Sequence, residues 1–314
     1  MLPLTQRNYD WMLPQAVTSM QEDTVRLGNT DVSSACLCGS RLPLQVRLGL
    51  RSRTRPVVKG RWCCSEQCLY ARVSSFVRRR GVGQAAQQEH QHRIPLGLLL
   101  LSQGAISQEQ LHLARQRCES TGERLGDILV RHCGLPEERL LHGMATQWGC
   151  SSWDVTGIIP ADMACVAPRV ILSATGMLPL QQQLDGTLSV AFVSAPDAST
   201  TFAVRRIHDR CVDAGLVSER DFLHAMNQLL KQESVPVEEF RCNDEADVIR
   251  QLVKMIQRLA PVESRWARLH DTFWIRMWLE TSAVAGGIGQ IEDVMDVVFH
   301  LPSATQRMTK LKPL

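Results

Sequence analysis

The sequence predicts an α+β protein of several domains: a small zinc-finger module, then a helical-hairpin repeat pair, followed by a small α/β lobe. Three features indicate this. Five of the 11 cysteines lie close together in the amino-terminal part of the chain. Two leucine-rich stretches, beginning at Pro95 and Arg124, share one helical pattern. Alternating apolar residues, typical of strands, follow these stretches.

The composition excludes several classes of protein. With 314 residues, 44% of them hydrophobic and 21% charged, the chain can form two or three packed domains. Its apolar run at 98–101 is far shorter than the roughly 20 residues that cross a bilayer. The first ten residues lack the basic stretch and apolar core of a secretion signal. We therefore expect a cytoplasmic protein with no transmembrane segment.

Charge divides the chain near residue 93. Residues 1–93 hold 14 Lys and Arg against 6 Asp and Glu, whereas residues 94–314 hold 21 against 26, so the net charge of +3 conceals a basic and an acidic part. Because basic side chains neutralise phosphates, residues 41–80 are a candidate contact for nucleic acid. A solvated basic face is the alternative. We place a basic zinc-finger region at 1–80 and a linker rich in Gln, Gly and Ala at 81–93.

The cysteine spacing predicts a zinc site. Zinc takes four thiolate or imidazole ligands, which proteins commonly supply as two close pairs on two tight turns. Cys36 and Cys38 form the first pair, and Cys64 and Cys68 form the second, with Cys63 as the alternative to Cys64. A structural zinc ion is therefore the expected cofactor. Free thiols or a redox pair are the other interpretation.

The residues around these pairs predict a hairpin and a helix. Apolar residues alternate over 42–50 as in a strand, 57–58 can form the return strand, and a helix can continue through 69–72. This layout resembles the small treble-clef zinc fingers.

The segment 94–232 begins with two similar units. Each unit reads as a short helix, a turn that contains glycine, and a second helix with Glu in its first turn. Ser107 caps the second helix of the first unit, and Pro136 opens the second helix of the other. Leucine and isoleucine at helical spacing give each helix one apolar stripe, so the two hairpins can pack against each other.

These repeats resemble a known family, together with the segments Trp148–Gly149, Met177–Leu180 and Ala195–Asp197 that follow them. The family is the amino-terminal, MshE-type (GspE- and PilB-like) domain of type II secretion and type IV pilus assembly ATPases. The resemblance covers residues 94–230. It implies a domain that in some members binds cyclic di-GMP, with each repeat contacting one half of the ligand.

The resemblance also implies which residues would contact that ligand. An Arg holds a phosphate or a guanine edge, Gly lets the backbone approach, Leu packs on a purine, and Gln offers amide hydrogen bonds. The candidates are Leu96, Gly97, Gly104 and Leu111 in the first repeat, and Arg124, Leu125, Gly126, Leu140 and Gln147 in the second.

Three positions depart from the family pattern. The first repeat has Pro95 in place of Arg and Cys118 in place of Gln, and the second has Cys133 where the turn glycine is expected. Arg93 could substitute for the missing Arg. The alternative interpretation is that the Leu and Gly residues only pack the two hairpins together.

The last third predicts further helices and strands. Residues 215–226 repeat the turn, the serine cap and the apolar spacing of a closing helix. Within a small α+β segment at 233–300, an amphipathic helix is predicted at 245–260 and one strand over 263–280. A basic, loose tail is expected at 301–314.

No enzyme motif stands out in these residues. The motor domain of the family holds ATP with G-x-x-x-x-G-K-[ST], whereas Gly286–Gly289 is followed by neither Lys nor Ser/Thr. We expect a non-enzymatic regulatory or adaptor protein of type II secretion or type IV pilus machinery. Its expected protein partner is a motor or a membrane-platform component. The alternatives are a zinc-containing nucleic-acid-binding regulator and an accessory subunit of a separate motor ATPase.

Overall fold

The computed structural model describes residues 36, 38–39, 57–58, 61–79, 93–155, 157 and 159–302. The fold of this part of the chain is α+β, as predicted. None of its helices is both long enough and apolar enough to cross a membrane. The predicted strand at 42–50 and residues 303–314 of the predicted tail lie outside the described residues. The expectation of a loose tail from residue 301 is wrong for Leu301, which is buried and whose amide donates to the carbonyl of Asp271.

The amino-terminal finger consists of a short hairpin and a helix. Strand β1 (Val57–Val58) pairs antiparallel with β2 (Arg61–Trp62), and helix α1 (Glu66–Arg78) follows. The side chain of Ser65 caps α1 by accepting a hydrogen bond from the amide of Cys68. The segment 57–58 thus forms a strand that pairs with the residues directly after it.

Four helices form the two predicted hairpins. They are α2 (Leu96–Ser102), α3 (Gln108–Thr121), α4 (Leu125–Cys133) and α5 (Glu137–Trp148). Ser107 and Gln110 form a complete capping box at the start of α3, and Pro136 precedes α5. The apolar stripes of the hairpins meet in one core that includes Leu100 and Leu129.

A four-stranded mixed sheet follows the repeats. Its elements are β3 (Ser151–Ser152), a 3₁₀ helix (Ala161–Cys165), α6 (Arg169–Thr175), β4 (Leu178–Gln182), β5 (Leu188–Phe192), α7 (Ala198–His208), β6 (Val212–Leu216) and α8 (Glu219–Leu229). The strand order is β3-β6-β5-β4. Strands β4 and β5 form a hairpin with Asp185 and Gly186 in its turn, where Gly186 has a φ of 85°. Strands β5 and β6 are parallel, joined by α7.

A second four-stranded sheet forms the carboxy-terminal lobe. Its elements are β7 (Val237–Arg241), α9 (Glu245–Leu259), β8 (Glu263–Leu269), β9 (Thr272–Trp278), α10 (Thr281–Ala285) and β10 (Val294–His300), in the strand order β7-β10-β9-β8. The single strand predicted over 263–280 is wrong, because β8 and β9 form an antiparallel hairpin. His270 makes the tight turn with a φ of 47°, and neither Gly nor Pro marks that turn in the sequence.

Both faces of the lobe's sheet are covered. One face, with Trp266 and Ile275, shares a core with α9 and with Leu69 and Val73 of the finger. The opposite face, with Trp274 among others, joins the core of the central sheet. The finger is therefore packed on a lobe that lies more than a hundred residues further along the chain.

A buried polar network lies between the two sheets. The carboxylate of Asp296 accepts hydrogen bonds from Nε and Nη2 of Arg276 at 2.9 and 2.6 Å, and from Nε1 of Trp274 at 2.8 Å. From the central sheet, Nε2 of His208 lies 2.7 Å from the carbonyl oxygen of Val166 and 3.4 Å from Nη1 of Arg276. Burial, and after it the charge of Arg276, lower the pKa of His208 to about 3. The imidazole is therefore neutral and donates to the Val166 carbonyl.

Candidate metal centre and repeat surface

Two local structures place the predicted metal ligands. Cys36 and Cys38 lie on one turn, which closes with a hydrogen bond of 2.9 Å from the amide of Gly39 to the carbonyl of Cys36. Gly39 has a φ of 85°, a conformation that glycine adopts readily. Cys64 directly precedes the helix cap Ser65, and Cys68 lies in the first turn of α1. The two ligand pairs thus come from a turn and from the start of a helix.

The structure brings four of the five predicted cysteines together. The sulfur atoms of Cys36, Cys38, Cys64 and Cys68 all lie within 4.8 Å of one another. Sγ of Cys64 is 3.2 Å from that of Cys38 and 3.3 Å from that of Cys68. In a tetrahedron with metal–sulfur bonds of about 2.3 Å, the sulfurs are about 3.8 Å apart. This all-thiolate cluster could hold a metal ion, and its donor set fits a soft or borderline ion.

Cys63 lies apart from the cluster. Its side chain is buried in the core shared by the finger and the lobe, beside Val58 and Leu69. Burial raises the pKa of its thiol to about 11. The two adjacent side chains lie in different surroundings, since Cys64 joins the cluster and Cys63 lies in the shared core. Cys64 therefore faces the other sulfurs, while Cys63 packs as a small apolar side chain.

The glycines and leucines of the repeats contact each other in matching pairs. A β-carbon on Gly97 would lie 2.5 Å from Cδ1 of Leu111, and one on Gly126 would lie 3.1 Å from Cδ2 of Leu140. In both repeats, the small residue thus lets the leucine of the second helix approach the backbone of the first. Packing accounts for these four residues, whether or not they also face a ligand.

The turn glycine of the second repeat is Gly134. Gly104 of the first repeat and Gly134 have φ values of 66° and 70°, whereas Cys133 is the last helical residue of α4. The expectation that the turn glycine lies at the position of Cys133 is wrong. Both helices begin at the equivalent leucine, Leu96 or Leu125, but α4 is two residues longer than α2. The left-handed conformation thus falls one residue later, on a glycine that is present.

The polar candidates have different surroundings. Arg124 is exposed at the amino end of α4, and its Nη1 lies 3.5 Å from Oγ of Ser194. The amide of Gln147 donates to the carbonyl of Ile94 at 2.7 Å, which ties α5 to the start of the first repeat. The guanidinium of Arg93 stacks 3.6 Å above the ring centre of Trp148. The remaining candidates, Leu96 and Leu125, are half-buried on the hairpin core.

Sequence reasoning did not single out the contacts that hold the finger on the lobe. Nη1 of Arg268, on β8, donates to the carbonyls of Val77 at 3.1 Å and Arg79 at 3.3 Å. The partners are 191 and 189 residues apart in sequence. No local pattern in the sequence marks such a distant pair. The apolar face of α1 indicates that this helix packs on another element, but not on which one.

Known proteins include some that are similar to this chain in sequence or in structure. The chain matches none of the protein families against which it was compared. It is similar to the type IV pilus assembly ATPase PilB of Thermus thermophilus, with 46% identity over 79 residues, which are 25% of this chain and 9% of PilB.

Two solved structures are also similar to the chain. A structure of MshE with cdg is 26% identical, with a TM-score of 0.38, and the match covers 44% of this chain and 99% of that one. The N-terminal domain of XpsE is 21% identical, with a TM-score of 0.31, covering 42% and 92%.

The match to PilB is confined to part of each chain, since it spans 25% of this chain and only 9% of the length of PilB. Within that limit, the resemblance to type IV pilus assembly ATPases is confirmed over the 79 residues that match PilB.

Proposed function

We propose that this chain is a non-enzymatic regulatory or adaptor protein of type IV pilus or type II secretion machinery. The observation that carries the proposal is the 46% identity to PilB over 79 residues. These 314 residues contain no G-x-x-x-x-G-K-[ST] motif with which to hold ATP. The protein then works in the cytoplasm through contacts with a motor ATPase or a membrane-platform component.

Cyclic di-GMP is the proposed ligand of the repeats. One similar structure is of MshE with cdg. In this chain, Arg124 is exposed, and its contact with Ser194 is long at 3.5 Å, so the guanidinium can turn to a phosphate. Gly97 and Gly126, packed under Leu111 and Leu140, shape the adjoining hairpin surface.

Titration calorimetry of the full chain with cyclic di-GMP tests this ligand. Arg124→Ala should weaken binding about tenfold to a hundredfold, because a hydrogen bond to a charged group contributes about 1.5–3 kcal/mol. Arg139→Ala, which removes another exposed arginine on α5, is the matched control and should bind like the unchanged protein. Absence of binding to the unchanged protein would refute cyclic di-GMP as the ligand. Equal binding by Arg124→Ala and the unchanged protein would refute the assigned site.

Zinc is the proposed occupant of the cysteine cluster. Four clustered cysteine sulfurs are the donor set of structural zinc sites, which leave no open position for catalysis. The cluster therefore has a structural role in this proposal. No described contact favours the nucleic-acid alternative, although the side chains of Arg78 and Arg79 are exposed.

A further inference from the structure

The finger has little core of its own in the described residues. Its parts are two strands of two residues each and one helix of 13 residues. A helix of that length is marginal in water unless its apolar face is packed. The buried residues of α1, which include Leu69, Val73 and Val77, pack into the core of the carboxy-terminal lobe. The finger therefore needs the lobe to bury this face.

The lobe in turn uses the finger to cover its aromatic residues. The ring of Phe76, on α1, lies 5.1 Å from that of Trp266 and 5.8 Å from that of Phe273, edge-on in both cases. Trp266 and Phe273 are fully buried. Without α1, this side of the sheet would lose aromatic contacts, and such pairs contribute about 0.5–1.5 kcal/mol each beyond their buried area.

Polar contacts join the same two parts. The Arg268 guanidinium binds the last carbonyls of α1, which have no partner within the helix, and it also pairs with Glu245 of α9 at 3.3 Å. At the other end of the finger, the amide of Val57 donates to the carbonyl of Pro261 at 3.1 Å. The finger is thus fixed to the lobe at both ends.

Two neighbouring cysteines link the metal cluster to this shared core. Cys64 contributes its sulfur to the cluster, while Cys63 is buried among the shared core residues. Losing the cluster would free the segment that carries both side chains. The position of Cys63, and with it the start of α1, depends on the ligand position of Cys64.

We propose that metal binding at Cys36, Cys38, Cys64 and Cys68 controls the packing of the carboxy-terminal lobe. The metal-loaded finger is a cover for α9 and for the Trp266 face of the sheet. Metal loss releases the cover and exposes that apolar surface. This inference rests on the proposed metal site and is independent of cyclic di-GMP binding.

Hydrogen–deuterium exchange of the full chain, before and after metal removal by a chelator, tests the proposal. Amides of α9 and β8 should exchange at least about tenfold faster after removal, whereas β5 of the central sheet should keep its protection. Cys64→Ala should reproduce the effect. The matched control is Cys211→Ala, an exposed cysteine outside the cluster, which should leave exchange unchanged.

A second variant tests the cover directly. Phe76→Ala should keep the metal, since Phe76 is no ligand, yet it should raise exchange in β8 because the contact with Trp266 is lost. Unchanged exchange in α9 and β8 after complete metal removal, verified by metal analysis, would overturn the proposal. Protein purified without metal, in which the amides of the lobe are still fully protected from exchange, would also overturn the proposal. Neither result bears on cyclic di-GMP titration, so the two proposals fail separately.

Discussion

At the scale of single residues, Asp296 is the buried acceptor that holds Trp274 and Arg276 of the neighbouring strand. It is fully buried and receives three hydrogen bonds, two of them from the nearly buried Arg276. Burying two charges is costly, and here each oxygen has a donor. The sequence did not reveal this pair, because Arg276 and Asp296 lie on strands that only the sheet pairing brings side by side.

Replacing this carboxylate should destabilise the protein strongly. Asp296→Asn leaves the Arg276 charge buried without its counter-ion, which costs about 3–5 kcal/mol in the free energy of unfolding. Urea unfolding followed by tryptophan fluorescence measures the change. Arg258→Gln is the control: it breaks the exposed pair with Glu238, in which the Arg258 side chain is 61% exposed, and should cost less than about 1 kcal/mol. Similar small losses in both variants would contradict the buried pair.

His208 should make stability depend on pH. Its pKa is about 3 in the folded protein, below its ordinary value of 6.5. As the pH falls through this range, the unfolded chain takes up a proton that the folded chain does not, so stability is full above pH 6.5 and declines towards pH 3. His208→Gln should flatten the decline in urea midpoints between neutral and mildly acidic pH. His142→Gln, at an exposed position, should show the same decline as the unchanged protein. An identical decline in the unchanged protein and in both variants would refute this role of His208.

At the scale of elements, the repeats were predictable and the lobe's hairpin was not. Ser107, Gln110 and Pro136 are local signals that fix where α3 and α5 begin, so periodicity and capping sufficed. The turn at His270 lacks such a signal, and apolar residues continue on both sides of it, so β8 and β9 read as one strand. The glycine of the second repeat was misassigned by one residue, because the extra length of α4 cannot be read from the spacing.

The turn glycines provide a prediction at this scale. Gly104→Ala and Gly134→Ala should each lower the free energy of unfolding by about 1–2 kcal/mol, because a side chain in the left-handed region is strained although the surrounding space is open. Gly157→Ala is the control, since its added β-carbon also meets nothing and its φ is not positive; it should change stability by less than about 0.5 kcal/mol. Thermal unfolding measures all three, and a loss at Gly157 equal to that at Gly134 would contradict the assignment.

At the scale of the whole molecule, chain order and spatial order differ. The finger precedes the repeats in sequence, but in space it covers the lobe that follows them. Local patterns predicted the cysteine pairs, the repeats and the resemblance to secretion and pilus ATPases. They could not predict which distant surface α1 packs on, nor decide between Cys63 and Cys64, because adjacent residues are distinguished only by what surrounds each side chain.

The cysteine cluster carries the central claim, since both the structural role of the finger and its hold on the lobe depend on it. Native mass spectrometry of the purified full chain, with elemental analysis, tests it most directly. We expect one zinc ion per chain, kept in Cys63→Ala and lost in Cys64→Ala. A metal-free chain, or equal metal content in the two variants, would contradict the account.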